Sequence, residues 1–143
     1  MSDMDLAIEL HDGAADNGLA NMLSTMMRQN VEDHPERGAM VRKLRGRMAI
    51  FAEDAEVAIS IDFDGDRVLF RDGIVGVPDL TIRGGFEQIG DLSRMEQVGA
   101  LPDPRGPVNR ALFGAMREGK LRVFGLPRAL PLLLGFGDVM HVA

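Results

Sequence analysis

Three aspartates around one glycine have the spacing that comes nearest to a metal site in this sequence. Asp62, Asp64 and Asp66 alternate around Gly65, and aspartates two residues apart begin the loop with which EF-hand proteins bind calcium. That loop needs a glutamate at its twelfth position, but Gly73 occupies this position here, so the glutamate is missing. Asp-Gly between two alternating apolar runs is also a strong signal for a β-hairpin. We therefore expect a turn at these residues and no calcium site.

The other side chains that could do chemistry are scattered along the chain. His11, His34 and His141 lack the spacing of zinc-binding motifs, and no serine lies in the Gly-x-Ser-x-Gly context of a hydrolase nucleophile. The glycine pairs match neither a dinucleotide-binding nor a phosphate-binding loop. The absence of cysteine excludes disulfides, zinc–thiolate sites and a cysteine nucleophile. We predict no catalytic residues, no metal and no cofactor, and hence a protein that is not an enzyme.

The balance of charge restricts the partners that the chain could have. The net charge is −6 and the pI is about 5.0, which argues against nucleic acid and allows at most transient contact with a membrane. Arg42, Lys43, Arg45 and Arg47 form a basic cluster, but acidic neighbours flank it, so we interpret it as solvated surface. The first 16 residues lack the apolar stretch of a signal peptide, and we expect a cytoplasmic protein.

The chain has the length of one domain, 143 residues. Its helical patterns and its strand patterns are largely grouped in separate runs. We interpret residues 1–17 as a flexible acidic tail and residues 18–143 as a single domain. Apolar residues spaced three and four apart predict helices at about 19–31, 35–44, 86–95 and 108–117. Residues 126–140 read as an apolar helical segment that Pro131 and Gly135 interrupt.

A period of two predicts the strands. Residues 47–53, 57–63, 68–70 and 80–82 have the composition or alternation of strands, and we expect them to form an antiparallel meander. Residues 120–124 form a fifth strand, and the proline-rich stretch 99–107 is a loop. The predicted fold is α+β: a five-stranded, mostly antiparallel sheet with helices covering one face.

Methionine is unusually frequent for a chain of this size. There are 10 Met and 7 Phe but no Trp and no Tyr. Methionine fills irregular apolar space and adapts to different partners, so this composition suits an apolar pocket of undefined shape. It also suits a methionine-rich core without a cavity, and composition alone favours this simpler interpretation.

Two short motifs and their order along the chain resemble the sterol carrier protein 2 (SCP2) family. They are the segment 78–82 (Pro-Asp-Leu-Thr-Ile) and the segment 119–125 (Gly-Lys-Leu-Arg-Val-Phe-Gly), which lie on either side of the helices at 86–95 and 108–117. The resemblance covers residues 18–140 and implies an apolar tunnel between sheet and helices. It also implies non-catalytic binding of a sterol, fatty acid, fatty acyl-CoA or isoprenoid. The loop 99–107 and the prolines after residue 126 depart from the family pattern.

The residues that we expect to line such a pocket are apolar, because ligand sites are concave and mainly apolar. They come mostly from the helix at 86–95 and the C-terminal segment, and they are Phe70, Ile82, Phe86, Ile89, Leu92, Phe113, Met116, Leu130, Leu133, Leu134, Phe136 and Met140. A carboxylate head group of the ligand could meet Arg71 or Arg83, although each is also typical of solvated surface.

Two other classes of function remain open from the sequence. One is a regulatory or dimerisation module that uses the fold without a ligand, which would need an exposed apolar patch. The other is an accessory factor that presents a lipidic intermediate to a biosynthetic enzyme. The sequence leaves open whether the protein is a monomer or a dimer, and it does not identify the ligand.

Overall fold

A six-stranded mixed sheet with helices packed on one face forms the α+β fold of the chain. The computed structural model describes residues 6–11, 13–92, 97–98, 101–102 and 105–140. The strands are β1 (Ala7–His11), β2 (Arg45–Ala52), β3 (Val57–Asp64), β4 (Arg67–Asp72), β5 (Leu80–Gly84), β6 (Gln97–Val98), β7 (Leu101–Pro102) and β8 (Leu121–Phe124). The helices are α1 (Gly18–Asp33), α2 (Glu36–Lys43), α3 (Phe86–Asp91), α4 (Pro107–Arg117) and α5 (Leu130–Met140).

The main sheet has the strand order β1-β4-β3-β2-β5-β8. Strands β2, β3 and β4 form the predicted antiparallel meander, with Gly65 at φ +65° in the β3–β4 hairpin. Strand β1 runs parallel to β4, β5 runs parallel to β2, and β8 runs antiparallel to β5. Three of the five pairings are thus antiparallel and two are parallel. The sheet is mixed and has six strands, so the prediction of five strands in a mostly antiparallel sheet is corrected in these two respects.

The sixth strand lies in the segment that the sequence analysis assigned to a flexible tail. In β1, Ile8 pairs in register with Val68, and Leu10 pairs with Phe70. Ile8 and Leu10 alternate with Glu9 and His11, so the segment carries a strand period of two that its acidic surroundings concealed. For Ala7–His11 the prediction of a tail is wrong.

The fourth predicted strand, β5, pairs with β2 and not with β4. The connection between β4 and β5 crosses the sheet, and side chains of the inner strands bind its backbone. Ser60 Oγ donates a hydrogen bond to the carbonyl of Gly73 (2.8 Å) and accepts one from the amide of Val75 (2.9 Å). Arg47 Nη1 donates to the carbonyl of Val75 (2.9 Å), and the Arg47 amide donates to Asp79 Oδ2 (2.9 Å). These bonds carry the chain past β3 to the far side of β2.

One face of the sheet is a continuous apolar layer. Phe70, Ile61, Met48 and Leu80 are neighbours in register across four adjacent strands, and all four are 0% exposed. Successive strand residues point to opposite faces of a sheet. The residues next to these four in each strand therefore point to the other face, which we call the open face and which carries the charged side chains. The helices therefore lie on the apolar face.

Helix α1 begins at a side-chain cap and carries the predicted apolar stripe. Asn17 Oδ1 accepts hydrogen bonds from the amides of Leu19 (3.0 Å) and Ala20 (3.1 Å), as N-cap residues do. Leu19, Leu23 and Met27 are buried. The helix ends at Asp33, before the His-Pro pair, and α2 follows at Glu36, as the sequence predicted.

Helix α5 differs from its prediction because its proline and glycine do not interrupt it. Pro131 is the second residue of the helix, where the missing amide hydrogen has no partner to lose. Gly135 lies inside the helix, where the side chain of Leu44 occupies the space of a Cβ atom. The helix is thus continuous from Leu130 to Met140.

The segment between α3 and α4 is described only in part. Helix α3 ends at Asp91, and the rest of the helix predicted at 86–95 lies outside the described residues beyond Leu92. Strands β6 and β7 pair with each other, so Leu101–Pro102 is a strand within the predicted loop 99–107. No helix among the described residues has both the length and the apolar character needed to cross a membrane.

Candidate binding groove

An apolar groove of about 140 Å³ lies between α4, β8 and α5. Its lining side chains are Leu92, Asn109, Leu112, Phe113, Met116, Leu121, Val123, Leu126, Leu130, Leu133 and Leu134. Ten of these eleven side chains are apolar, and none has a titratable group. The polar one, Asn109, is only 1% exposed.

The wall that α4 provides follows from helical spacing. Asn109, Leu112, Phe113 and Met116 are spaced at i, i+3, i+4 and i+7, so they form one stripe along the helix. The helix ends at Arg117 because Gly119 adopts φ +78°. The amides of Gly119 and Lys120 then bind the carbonyls of Met116 (3.2 Å) and Ala115 (2.8 Å), which is a Schellman ending. This turn leads the chain directly into β8.

The other walls come from β8 and α5. Leu121 and Val123 alternate with exposed residues of β8 and face the helices. Gly125, at φ +109°, ends the strand, and Leu126 then reaches the groove from the following turn. The groove thus lies at the edge of the sheet, where β8 has a strand neighbour on one side only.

The mouth of the groove exposes large apolar side chains. Phe113, Met116 and Leu126 are 46%, 39% and 40% exposed. Single exposed apolar residues are normal on protein surfaces, whereas a contiguous group is typical of a binding site. These three side chains line one groove, so they form such a group.

A second, smaller cavity of about 30 Å³ lies beside α1. It is lined by Met22, Leu23, Met26, Ile89, Gly90, Phe136 and Met140. Helix α5 contributes to both spaces, with its N-terminal half at the groove and its C-terminal half at the small cavity. Among the described residues the two spaces have no lining residue in common, and the tunnel that the resemblance implied is not shown.

The twelve residues predicted to line a pocket are distributed over four places. Leu92, Phe113, Met116, Leu130, Leu133 and Leu134 line the groove. Ile89, Phe136 and Met140 line the small cavity. Phe70 and Ile82 are 0% exposed in the core, and Phe86 is 38% exposed and lines neither space. For these last three the structure does not support a place in a pocket, and ligand binding by the other nine stays a prediction.

The sequence analysis did not include five of the residues that line the groove, although the sequence contains a periodic signal for three of them. Leu121 and Val123 alternate in the fifth predicted strand, next to residues that the sequence analysis chose. Leu112 shares the helical stripe of Phe113 and Met116. Asn109 and Leu126 have no such signal, because one is polar and the other lies in a turn.

The two arginines considered as partners for a ligand head group face away from the groove. Arg71 and Arg83 follow Phe70 and Ile82 in their strands, so they point to the open face. Arg71 Nε donates to Asp62 Oδ2 (3.1 Å). Neither arginine lines the groove.

Charged side chains on the open face neutralise one another. Glu53 Oε2 lies 3.0 Å from Arg83 Nη2 and 2.7 Å from Arg122 Nη2, and the Arg83 guanidinium lies 5.0 Å from the ring centroid of Phe51, a cation–π distance.

Two of the three aspartates near the β3–β4 hairpin accept hydrogen bonds from arginines. Asp62 accepts hydrogen bonds from Arg47 Nε (2.5 Å) and Arg71 Nε (3.1 Å), and Asp66 Oδ1 accepts one from Arg42 Nε (3.1 Å). Burial raises the pKa of Asp62, but the two arginines outweigh burial and hold that pKa below its usual value. Within the described residues no group of three His, Cys, Asp or Glu could hold a metal ion.

Comparison with known proteins gives a structural match alone. No protein-family model and no curated protein matches the sequence. A solved structure named UbiJ-SCP2 ubiquinone synthesis protein matches 85% of this chain and 94% of its own, with a TM-score of 0.57 and 15% sequence identity. The fold is SCP2-like. A solution structure from Thermus thermophilus, a conserved hypothetical protein named as a candidate sterol carrier protein, matches 82% of this chain and 85% of its own, with a TM-score of 0.40 and 12% identity.

Proposed function

We propose that this protein binds a hydrophobic, lipid-like ligand in the groove between α4, β8 and α5, without catalysing a reaction. The observation that carries the proposal is the groove itself, with ten apolar side chains around it and three of them exposed at its mouth. The ligand classes that suit it are a sterol, a fatty acid, a fatty acyl-CoA or an isoprenoid. The SCP2-like fold supports a lipid-binding role.

The size of the groove sets how much of the ligand it holds. Ligand pockets usually have about 300–1,000 Å³, and the groove has about 140 Å³. The groove therefore takes one apolar end of a lipid, and the rest of the molecule lies at the mouth against Phe113 and Leu126. A larger ligand requires α4 and α5 to move apart.

The driving force sets the selectivity. Removal of apolar surface from water contributes roughly 25 cal/mol per Å², and this force has no direction. None of the described residues that line the groove is titratable, and the one amide among them, Asn109, is buried. We therefore expect broad selectivity among apolar chains, set by shape.

The same lining supports a role without catalysis. General acid–base catalysis needs a titratable group within hydrogen-bond reach of the reacting atom, and the described residues that line the groove supply none. A bound lipid would meet only hydrocarbon, thioether and aromatic surface there, together with one buried amide.

Native mass spectrometry of the purified protein, followed by solvent extraction and identification of bound molecules, tests the proposal. We expect a stoichiometric lipid in the wild type and its loss in Leu134→Trp, because the indole fills the groove. Val77→Trp is the matched control, since Val77 is 87% exposed and lines a different surface depression. A protein that stays ligand-free when fatty acids, acyl-CoA, sterols and isoprenoids are added would rule the proposal out.

A second candidate is an accessory factor that presents a lipidic intermediate to a biosynthetic enzyme. The structural neighbour named as a ubiquinone synthesis protein favours it, since ubiquinone carries a long isoprenoid tail. An isoprenoid quinone or its precursor in the extract would select this candidate. A dimer without bound ligand would instead favour the regulatory or dimerisation module that the sequence left open.

A further inference from the structure

The chain segment that surrounds the groove has the opposite charge to the rest of the protein. Residues 105–140 contain six Lys or Arg and two Asp or Glu, a surplus of four positive charges. The remaining residues have a surplus of ten negative charges, so the overall net charge of −6 conceals a basic region. Screening limits the effect of distant charges to about 10 Å at ordinary ionic strength. The local charge therefore governs what approaches the groove.

Three of these basic residues are exposed and have no carboxylate partner among the described residues. They are Arg110, Arg117 and Arg128. Lys120 lies 3.4 Å from Glu118, and Arg122 lies 2.7 Å from Glu53, so those two are partly neutralised. The three arginines thus carry positive charge that no carboxylate among the described residues pairs with.

Two of these arginines flank exposed Phe113, whereas Arg128 lines a neighbouring depression with Arg45 and Asp79. On α4, Arg110, Phe113 and Arg117 are spaced three and four residues apart, so they share one exposed helix face. After β8, exposed Leu126 is followed two residues later by exposed Arg128. Apolar side chains with cations beside them are the pattern of a surface that enters the boundary of an anionic membrane.

We propose that the mouth of the groove, where Phe113, Met116 and Leu126 are exposed beside Arg110 and Arg117 of α4, docks on bilayers that contain anionic lipid. The arginines bind lipid phosphates, and the apolar side chains enter the outer part of the acyl layer. This inference revises the expectation, drawn from net charge, that membrane contact would be at most transient. It does not require a ligand in the groove.

Charge complementarity favours a bilayer over a second copy of the chain. A two-fold dimer through this surface would place the same patch opposite itself, and the surplus positive charges would then repel each other. A bilayer with anionic head groups offers a negative surface of sufficient extent to meet Arg110 and Arg117 together.

Flotation with lipid vesicles tests the proposal on the purified full chain. We expect the protein to float with vesicles of phosphatidylcholine and phosphatidylglycerol but not with phosphatidylcholine alone. In about 1 M sodium chloride the Debye length falls to about 3 Å, and the binding should be lost. Failure to float with phosphatidylglycerol at low salt would overturn the proposal, whatever the groove contains.

Substitutions locate the binding surface. Arg110→Gln and Arg117→Gln should each lower the partition coefficient about fivefold, and Phe113→Gln should lower it about tenfold. Lys43→Gln is the control, because Lys43 is exposed on α2, has no carboxylate partner in the described structure and does not line the groove.

The variants also separate this proposal from its rivals and from the proposed function. Equal loss of binding in Lys43→Gln would overturn it, as would unchanged binding in the double variant Arg110→Gln/Arg117→Gln. A dimer in sedimentation velocity that the double variant abolishes would assign the surface to a second copy instead. Extracted lipid, measured separately, reports on the groove, so either idea can fail alone.

Discussion

Gly125 lies directly against the main-chain carbonyl oxygen of Asp79, where β8 ends and the chain turns into the groove wall. A Cβ atom at Gly125 would overlap that oxygen, and φ is +109° there. We expect Gly125→Ala to lower the free energy of unfolding by about 2–5 kcal/mol, from the cost of positive φ and from overpacking. Urea denaturation measures it.

Gly119 provides the matched control for this substitution. It has φ +78°, but apart from Gly119 itself and its chain neighbours no atom of the described residues lies within 4 Å of the position that a Cβ atom would take, so Gly119→Ala should cost only about 1–2 kcal/mol. Equal losses for the two variants would mean that close packing against Asp79 contributes nothing at Gly125.

The ion pairs of Asp62 should make part of the stability depend on pH. The pKa of this carboxyl is lower in the folded protein than its usual value, so its ionised form stabilises the fold above the unfolded-state pKa of about 3.9. This contribution is lost as the pH falls through the folded-state pKa. We expect Asp62→Asn to cost about 1–2 kcal/mol at pH 7 and progressively less below about pH 4.

Urea denaturation of Asp62→Asn across this pH range checks the expectation. Asp64→Asn is the control, because Asp64 lies on the same strand but is exposed, and it should change stability little at any pH. A cost for Asp62→Asn that stays constant from pH 7 to pH 3 would contradict a role for the ionised carboxyl.

Asn17 joins the start of α1 to the end of β4. Its Nδ2 donates to Asp72 Oδ1 (2.7 Å) and to the carbonyl of Ala58 (2.9 Å), while its Oδ1 caps the helix. Aspartate is an equally good cap, but Asn17→Asp would place a second carboxylate against Asp72. We therefore expect Asn17→Asp to cost about 1–3 kcal/mol, measured by urea denaturation.

A second substitution isolates the cause of that loss. Asp72→Asn supplies an amide that can donate to the new carboxylate at position 17, so the double variant Asn17→Asp/Asp72→Asn should regain much of the stability. If the double variant is as unstable as the sum of the single ones, the contact between these side chains has no net effect.

Local patterns predicted the elements, and long-range pairing decided where they lie. The stripe of Leu19, Leu23 and Met27 predicted α1, and Asp64-Gly65 predicted the hairpin, because each signal lies within a few residues. Strand β5 pairs with β2 because Arg47 and Ser60 bind the intervening connection. Periodicity contains no information about such contacts.

The candidate site shows the same limit. Ile82 and Val123 are neighbours in the register of β5 and β8, yet Ile82 is fully buried and Val123 lines the groove. Which of two apolar strand residues reaches a groove depends on how near its strand is to the sheet edge. By contrast, the alternation of Phe70 and Arg71 was readable, and it already indicated that they face opposite sides.

A substitution at Phe136 should lower the stability of the fold without changing the volume of the groove. Its side chain is 4% exposed, and its ring packs edge-on against Phe63 with 6.4 Å between centroids. Removal of a buried phenyl group leaves a cavity, so Phe136→Ala should lower the free energy of unfolding by about 3–5 kcal/mol. Phe124→Ala, at a residue that is 50% exposed, should change it by about 0.5 kcal/mol or less.

The lipid content of Phe136→Ala tests whether the two apolar spaces are separate. Phe136 lines the small cavity and not the groove, so Phe136→Ala should retain the wild-type stoichiometry of extracted lipid at a temperature where it stays folded. Loss of that lipid, or a shift to longer chains, would show that the groove and the small cavity join when a ligand binds. The groove would then be small only when no ligand is bound, and α5 would move to enlarge it when a ligand binds.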